Sequence, residues 1–271
     1  MTRTPTHGGP APLGIIGGSG LYSLFDPDAS LTRVTDTPYG QATLTFGTLA
    51  GRDAVFLPRH GAGHTVPPHR INFRANVWAL ASVGVRAIVS TAAVGAVSPD
   101  YPIDSLALVD QYLDRTYGRA DTFFDGDHVQ HLPSADPFCP VLRKVAIASL
   151  GPEVRPTATV AVIQGPRFST RAESLWFREA GAHLVNMTLY PEVPLAAELG
   201  MGTVTLVYVT DNDATPGDTV TADAVLSRLR AAQPRIIGAI ESIAAAIPAD
   251  YAGRELIDRA EIDLVLAGRA A

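Results

Sequence analysis

Residues 54–65 read AVFLPRHGAGHT. The apolar run Ala54 to Leu57 has no polar alternation, as expected of a strand covered on both faces, and Pro58 stops it. The run delivers Arg59 and His60 onto a turn carrying Gly61 and Gly63. A guanidinium offers a fixed fork of donors suited to a tetrahedral oxyanion. A histidine beside it can donate, accept or change charge. The stretch therefore reads as an anion site at a strand end, the other reading being a basic surface loop.

Working outward, short apolar runs alternate with helix-period segments, the pattern of an α/β domain. Strands are predicted at 13–16, 43–46, 54–57, 87–90, 106–109, 159–163, 183–186 and 203–209. Helices are predicted at 72–83, 171–180, 191–199 and 255–266. The longest, 221–247, is capped by Thr221 and kinked at Pro234. Two loops, 116–137 and 211–220, are long enough to carry function. Residues 1–12 form a polar tail expected to be disordered, and 13–271 a single domain.

Composition narrows the function classes. With 46% hydrophobic and 18% charged residues, the 271-residue chain can bury a large core. A formal net charge of −6 leaves no electrostatic footprint for nucleic acid or an anionic membrane, so the partner of Arg59 is expected to be a small anion. The single cysteine, Cys139, excludes an intrachain disulfide and suits a reducing cytoplasm. No run approaches the length of a membrane span.

Further segments carry possible chemistry. GGSG at 17–20 follows a strand and leaves backbone N–H groups to converge on an anion, with Ser19 adding a hydroxyl; it reads equally as a tight turn. The dinucleotide fingerprint fails because Ser23 holds the third glycine position, and no Gly-Lys-Ser/Thr follows for a triphosphate loop. His60, His64 and His69 invite a zinc reading, but the glycines and prolines among them prevent a helix that would align them, so no metal is expected. STAAVG at 90–95 places small residues at a strand's C-terminal end, where open α/β sheets bind ligands. Phe168 stands at a strand-to-helix turn, either to stack on a ring or to join the core. Asp211 and Asp213 are set just beyond the strand at 203–209, as a reactive pair or as solvated loop residues.

Taken in order, GIIGGSGL, RHG…HT, FRANVWAL, DGDH, ADPFCP, GPRFSTRAES and VNMT…PE resemble the trimeric purine nucleoside phosphorylase family, in particular its 5′-methylthioadenosine phosphorylase branch. The resemblance runs from about Leu13 to Ile247. It implies one domain with a mixed central β-sheet flanked by helices. It also implies a homotrimer, with a hexamer of two trimers as the variant, and inorganic phosphate as co-substrate with no further cofactor.

By the same resemblance, phosphate is held by Ser19, Arg59, His60, the backbone at Ala92 and Ala93, and Thr188. Met187 lies under the ribose, and Phe168 and Ser169 border the base. Asp211, aided by Asp213, serves the purine; with His60 these are the catalytic residues. Ala222 and Val225 meet the 5′ substituent, joined by His131 of a neighbouring subunit. The branch often has a hydroxyl residue where Ala92 stands, so that contact is expected from main chain alone. Ala222 is smaller than the valine associated with its position, which leaves the size of the 5′ group open. A carboxylate at Asp211 suits the exocyclic amine of adenine, whereas 6-oxopurine members typically place asparagine there. The expected reaction is phosphorolysis to adenine and a 5-substituted ribose 1-phosphate. Rival readings are a 6-oxopurine or 5′-methylthioinosine phosphorylase, a hydrolase on the same scaffold, and a non-catalytic nucleotide-binding module.

Overall fold

In the central strands, successive side chains enter two different cores. Leu13, Ile15, Ala54, Phe56, Ala87 and Val89 pack in one, while Ile16, Val55, Leu57 and Ile88 pack in the other. Period-two geometry sends alternate residues to opposite faces, so a strand covered on both sides is apolar throughout. The computed structural model describes residues 10–126, 128–212, 214 and 220–268. Along the chain run β1 (Leu13–Gly17), β2 (Leu31–Thr37), β3 (Gly40–Leu49), β4 (Arg52–Pro58), α1 (Phe73–Ser82), β5 (Ala87–Ala96), β6 (Leu106–Leu108), β7 (Gln111–Arg115) and α2 (Pro140–Ser149). Then follow β8 (Val154–Arg155), β9 (Thr159–Ile163), α3 (Arg171–Glu179), β10 (Leu184–Asn186), α4 (Leu189–Glu198), β11 (Gly202–Asn212), α5 (Ala222–Ala246) and α6 (Arg259–Leu266).

The strands form one mixed sheet with the path β2-β3-β4-β1-β5-β10-β9-β7, and β11, β6 and β8 branch from β5. Helices α2 and α5 supply Leu142, Ala146, Leu229 and Ile240 to one core. Helices α1, α4 and α6 supply Leu80, Leu195 and Val265 to the other. Among the described residues, no helix is long and apolar enough to cross a membrane.

Strand β5 changes partner halfway. On one side its residues 87–90 pair in parallel with β1, and its Gly95 and Ala96 pair antiparallel with β10. On the other side β11 accompanies it throughout. Between Ser90 and Gly95, one side of β5 therefore faces a crevice bounded by the ends of β1, β4 and β10. A switch point of this kind is where open α/β sheets accept ligands.

Several expectations need correction. The strand expected at 87–90 runs on through the 90–95 segment, since pairing with β11 carries β5 to Ala96. Asp211 likewise lies within β11, beside a register shift between Val209 and Asp211. The long C-terminal helix opens at the expected Thr221 cap, whose side chain accepts from Ala224 N, and runs to Ala246 with Pro234 inside it. The last helix starts at Arg259, not 255, because Asp258 caps it by accepting from Ala260 N. Four elements were not anticipated: β2, β7, β8 and α2. Residues 1–9 lie outside the described ones.

Gly17 shows how tightly the β1 end is built. A Cβ there would sit 2.4 Å from the Leu21 carbonyl oxygen and 2.6 Å from a ring carbon of buried Phe56. Gly17→Ala is expected to cost about 1–3 kcal/mol, the range for overpacking a closed site. Urea unfolding of the two chains checks this, and an unchanged midpoint would contradict it.

Candidate active site

A cavity of about 450 Å³ fills the crevice. It is lined by Ser19, Arg59 and His60 from the loops after β1 and β4, by Ala92 and Ala93 of β5, and by Met187 and Thr188 after β10. Phe168, Ser169, Asp211, Ala222 and Val225 complete the expected set. Of the expected residues among the described ones, His131 alone is missing from it. His131 is exposed, and Asp213 lies outside the described residues.

The GGSG turn is fixed by hydrogen bonds. Gly18 N donates to Thr91 Oγ1 at 3.2 Å, and Arg59 N donates to the Gly17 carbonyl at 3.1 Å, joining the β1 and β4 ends. Asn186 organises the turn into α4. Its Oδ1 accepts from the N–H groups of Thr188 and Leu189, and its Nδ2 donates to Thr188 Oγ1 at 3.2 Å. Because the Thr188 oxygen is already accepting, its own O–H remains to be donated.

Arg59, expected from sequence as a local positive site, is paired with a carboxylate. It is 2% exposed, and its Nε and Nη2 donate to the two carboxylate oxygens of Glu192 at 2.7 and 2.6 Å. Nη2 also reaches Ser90 Oγ at 2.7 Å, and Nη1 the Thr91 carbonyl at 2.8 Å. Part of the fork predicted to grip an anion is engaged by a carboxylate.

His60 Nδ1 lies 2.9 Å from the Val66 carbonyl, which can only accept, so Nδ1 carries the hydrogen and Nε2 the lone pair. Burial first, then the neighbouring Arg59, lowers its pKa to about 3. His60 is therefore neutral at ordinary pH and does not change charge there. The His64 ring stacks on it with centroids 4.3 Å apart.

Asp211 is 7% exposed. Thr210 Oγ1 donates to its Oδ1 at 2.5 Å and also contacts the Val94 carbonyl. Thr210 is the extra residue of the β11 bulge, and bulges re-aim the side chains beside them. Arg228 of α5 donates to the Thr210 carbonyl, tying the helix that bears Ala222 and Val225 to the strand that bears Asp211.

The model of the family described as "Phosphorylase superfamily" matches residues 12–245. The chain belongs to this superfamily. A purine nucleoside phosphorylase from Streptomyces coelicolor is 46% identical over 254 residues, covering 88% of this chain and 90% of that protein. An S-methyl-5′-thioadenosine phosphorylase from Mycolicibacterium smegmatis is 50% identical over 204 residues, covering 74% and 77%. Among solved structures, methylthioadenosine phosphorylase from Schistosoma mansoni in complex with adenine superposes with a TM-score of 0.83 at 32% identity, covering 96% of this chain and 97% of that one.

In this superfamily member, the sequence reading assigned no role to two side chains that shape the site. Glu192 had a visible signal: an acid in the otherwise apolar run LYPEVPLAA needs a buried partner. Arg119 had none. From the 116–137 loop it donates through Nε to Gln164 Oε1 and through Nη2 to the carbonyls of Gln164 and Met187, at 2.9–3.1 Å, and through Nη1 to the Tyr190 carbonyl. It thereby joins the ends of β9 and β10 to the head of α4. Burial lowers its pKa to about 10, which leaves it charged at neutral pH.

His60 gives a pH signature. Between 6.5, its ordinary value, and about 3, the unfolded chain binds a proton that the folded one does not. Its contribution thus lowers stability as pH falls through that window, by at most about 1.4 kcal/mol per pH unit. In His60→Asn, the gap between urea midpoints at pH 7 and pH 4.5 should shrink. The same gap in both chains would mean that His60 titrates normally.

Proposed function

We propose that the chain cleaves 5′-methylthioadenosine, or a closely related 5′-modified adenosine, with inorganic phosphate, releasing adenine and 5-methylthioribose 1-phosphate in purine salvage. One observation carries this reading: a single cavity joins the polar side chains of Ser19, His60 and Thr188 to the buried carboxylate of Asp211, with Met187 and Phe168 also in its lining. The relatives named S-methyl-5′-thioadenosine phosphorylase support it.

In this mechanism, phosphate is held beneath C1′ by the Ser19 and Thr188 hydroxyls, the backbone at Ala92 and Ala93, and the remaining donor of Arg59. The Nε2 lone pair of His60 accepts from its P–O–H group. Holding the nucleophile in place converts an encounter into a positioned attack. The glycosidic bond loosens through an oxocarbenium-like transition state, whose positive charge the phosphate offsets. Asp211 accepts a hydrogen bond from the exocyclic amine of adenine and passes a proton to N7, so the purine leaves neutral. Over the whole reaction the hydrogen of hydrogen phosphate ends on adenine. The scheme uses no metal or organic cofactor.

Ala222 and Val225 receive the 5′ group, and His131 completes that end from an adjacent subunit of a homotrimer. The exposure of His131 away from its own cavity supports such a reach. The single, buried Cys139 fits our placement of the enzyme in a reducing cytoplasm.

The Streptomyces coelicolor relative, named a purine nucleoside phosphorylase, favours a second reading in which the base is a 6-oxopurine or the substrate 5′-methylthioinosine. A panel of purine nucleosides assayed with and without phosphate separates the two. Adenine should appear only when phosphate is present. Asp211→Asn should lower kcat/KM for methylthioadenosine by roughly 10²–10⁴, the range for losing a general acid. A parent chain that turns over inosine-type nucleosides, with Asp211→Asn leaving that turnover intact, would reverse the base assignment.

A further inference from the structure

Arg59 and Glu192 form a closed network. The carboxylate of Glu192 accepts Nε–H on Oε2 and Nη2–H on Oε1, and Oε1 also accepts the Ser90 hydroxyl at 2.6 Å. Ser90 Oγ in turn accepts the second Nη2–H. With one Nη1–H on the Thr91 carbonyl, the guanidinium has spent one donor on Nε, two on Nη2 and one on Nη1. A guanidinium carries five N–H donors, so the second Nη1–H alone remains among the described residues. All three side chains are buried, at 2% for Arg59, 3% for Glu192 and 1% for Ser90. Glu192 also stands four residues after Thr188, on the helix that begins at the cavity wall.

We propose that Glu192 is a positioning residue of the phosphate site. It fixes the Arg59 guanidinium so that one directed N–H, not a free cation, meets the anion, and it locks the β4 end to the helix head carrying Thr188. The site then selects phosphate by placed donors, since the ion pair is neutral as a whole. Removing either member of a buried pair leaves the other unpaired, which costs more than the pair contributes. In the Glu192→Gln variant an amide N–H₂ would face an Arg59 donor, turning the guanidinium away.

This inference rests on the phosphate-binding reading above, and the test keeps the two apart. Affinity for inorganic phosphate is measured by titration calorimetry on the full chain, beside phosphate and nucleoside KM in the adenine-release assay. Glu192→Gln should weaken phosphate binding by at least about tenfold while nucleoside KM stays within about threefold. Ser90→Ala, a milder cut in the same network, should weaken it by about threefold. In an Arg59→Met background, adding Glu192→Gln should weaken phosphate no further, because Glu192 acts through Arg59. That double change should also raise the melting temperature above that of Arg59→Met, since it discharges an unpaired buried carboxylate. A merely structural Glu192 would lower melting temperature without this split between the two substrates.

A folded Glu192→Gln chain with unchanged phosphate affinity would overturn the proposal, as would additive losses in the double variant. If Glu192→Gln does not fold, the Ser90→Ala and double-variant comparisons decide the matter. A parent chain that binds phosphate but releases no adenine would refute the activity and leave the role of Glu192 standing. A parent chain that binds no phosphate would refute both.

Discussion

A central strand hydrogen-bonded along both edges has no room for a ligand, and β5 makes room by exchanging β1 for β10 partway along its length. The exchange leaves residues 91–94 with β11 as their only strand neighbour among the described residues. Backbone groups freed there cannot be left bare in a buried setting. Thr91 answers with its carbonyl to Arg59 and its hydroxyl to Gly18. Ala92 and Ala93 of the segment line the cavity. Reactive side chains at the ends of β1, β4 and β10 meet because those three ends border one gap.

The electrostatics of the gap follow from its burial. A cation and a neighbouring imidazolium would be costly side by side when both are this buried. The cost is avoided in two ways: Glu192 neutralises Arg59, and His60 gives up its proton. What remains is a set of oriented dipoles, which need little rearrangement as charge develops. The overall negative charge of the chain is no obstacle to an anion held by such short-range contacts.

Much of this was legible in the sequence. The two-faced apolar runs marked the central strands, and strand ends followed by glycine, hydroxyl or charged residues marked the cavity lining. What stayed hidden depends on partners far apart in the chain. Arg59 and Glu192 are 133 residues apart, and no periodicity links them. Arg119 lies in a segment without regular structure and acts on carbonyls, which every residue has. The edge strand β2 escaped notice because its Leu31 and Val34 are exposed, so it lacks the apolar signature of its neighbours. Asp211 reads as following its strand because a bulge has no sequence mark of its own here.

Arg119 gathers acceptors from three segments onto one planar group. A shared tether of this kind links the cavity wall at Met187 into one plate. Its strand ends and helix head are held to one another through a single side chain. Losing the tether would strand several carbonyls together, and the wall would fail as a unit, not piece by piece.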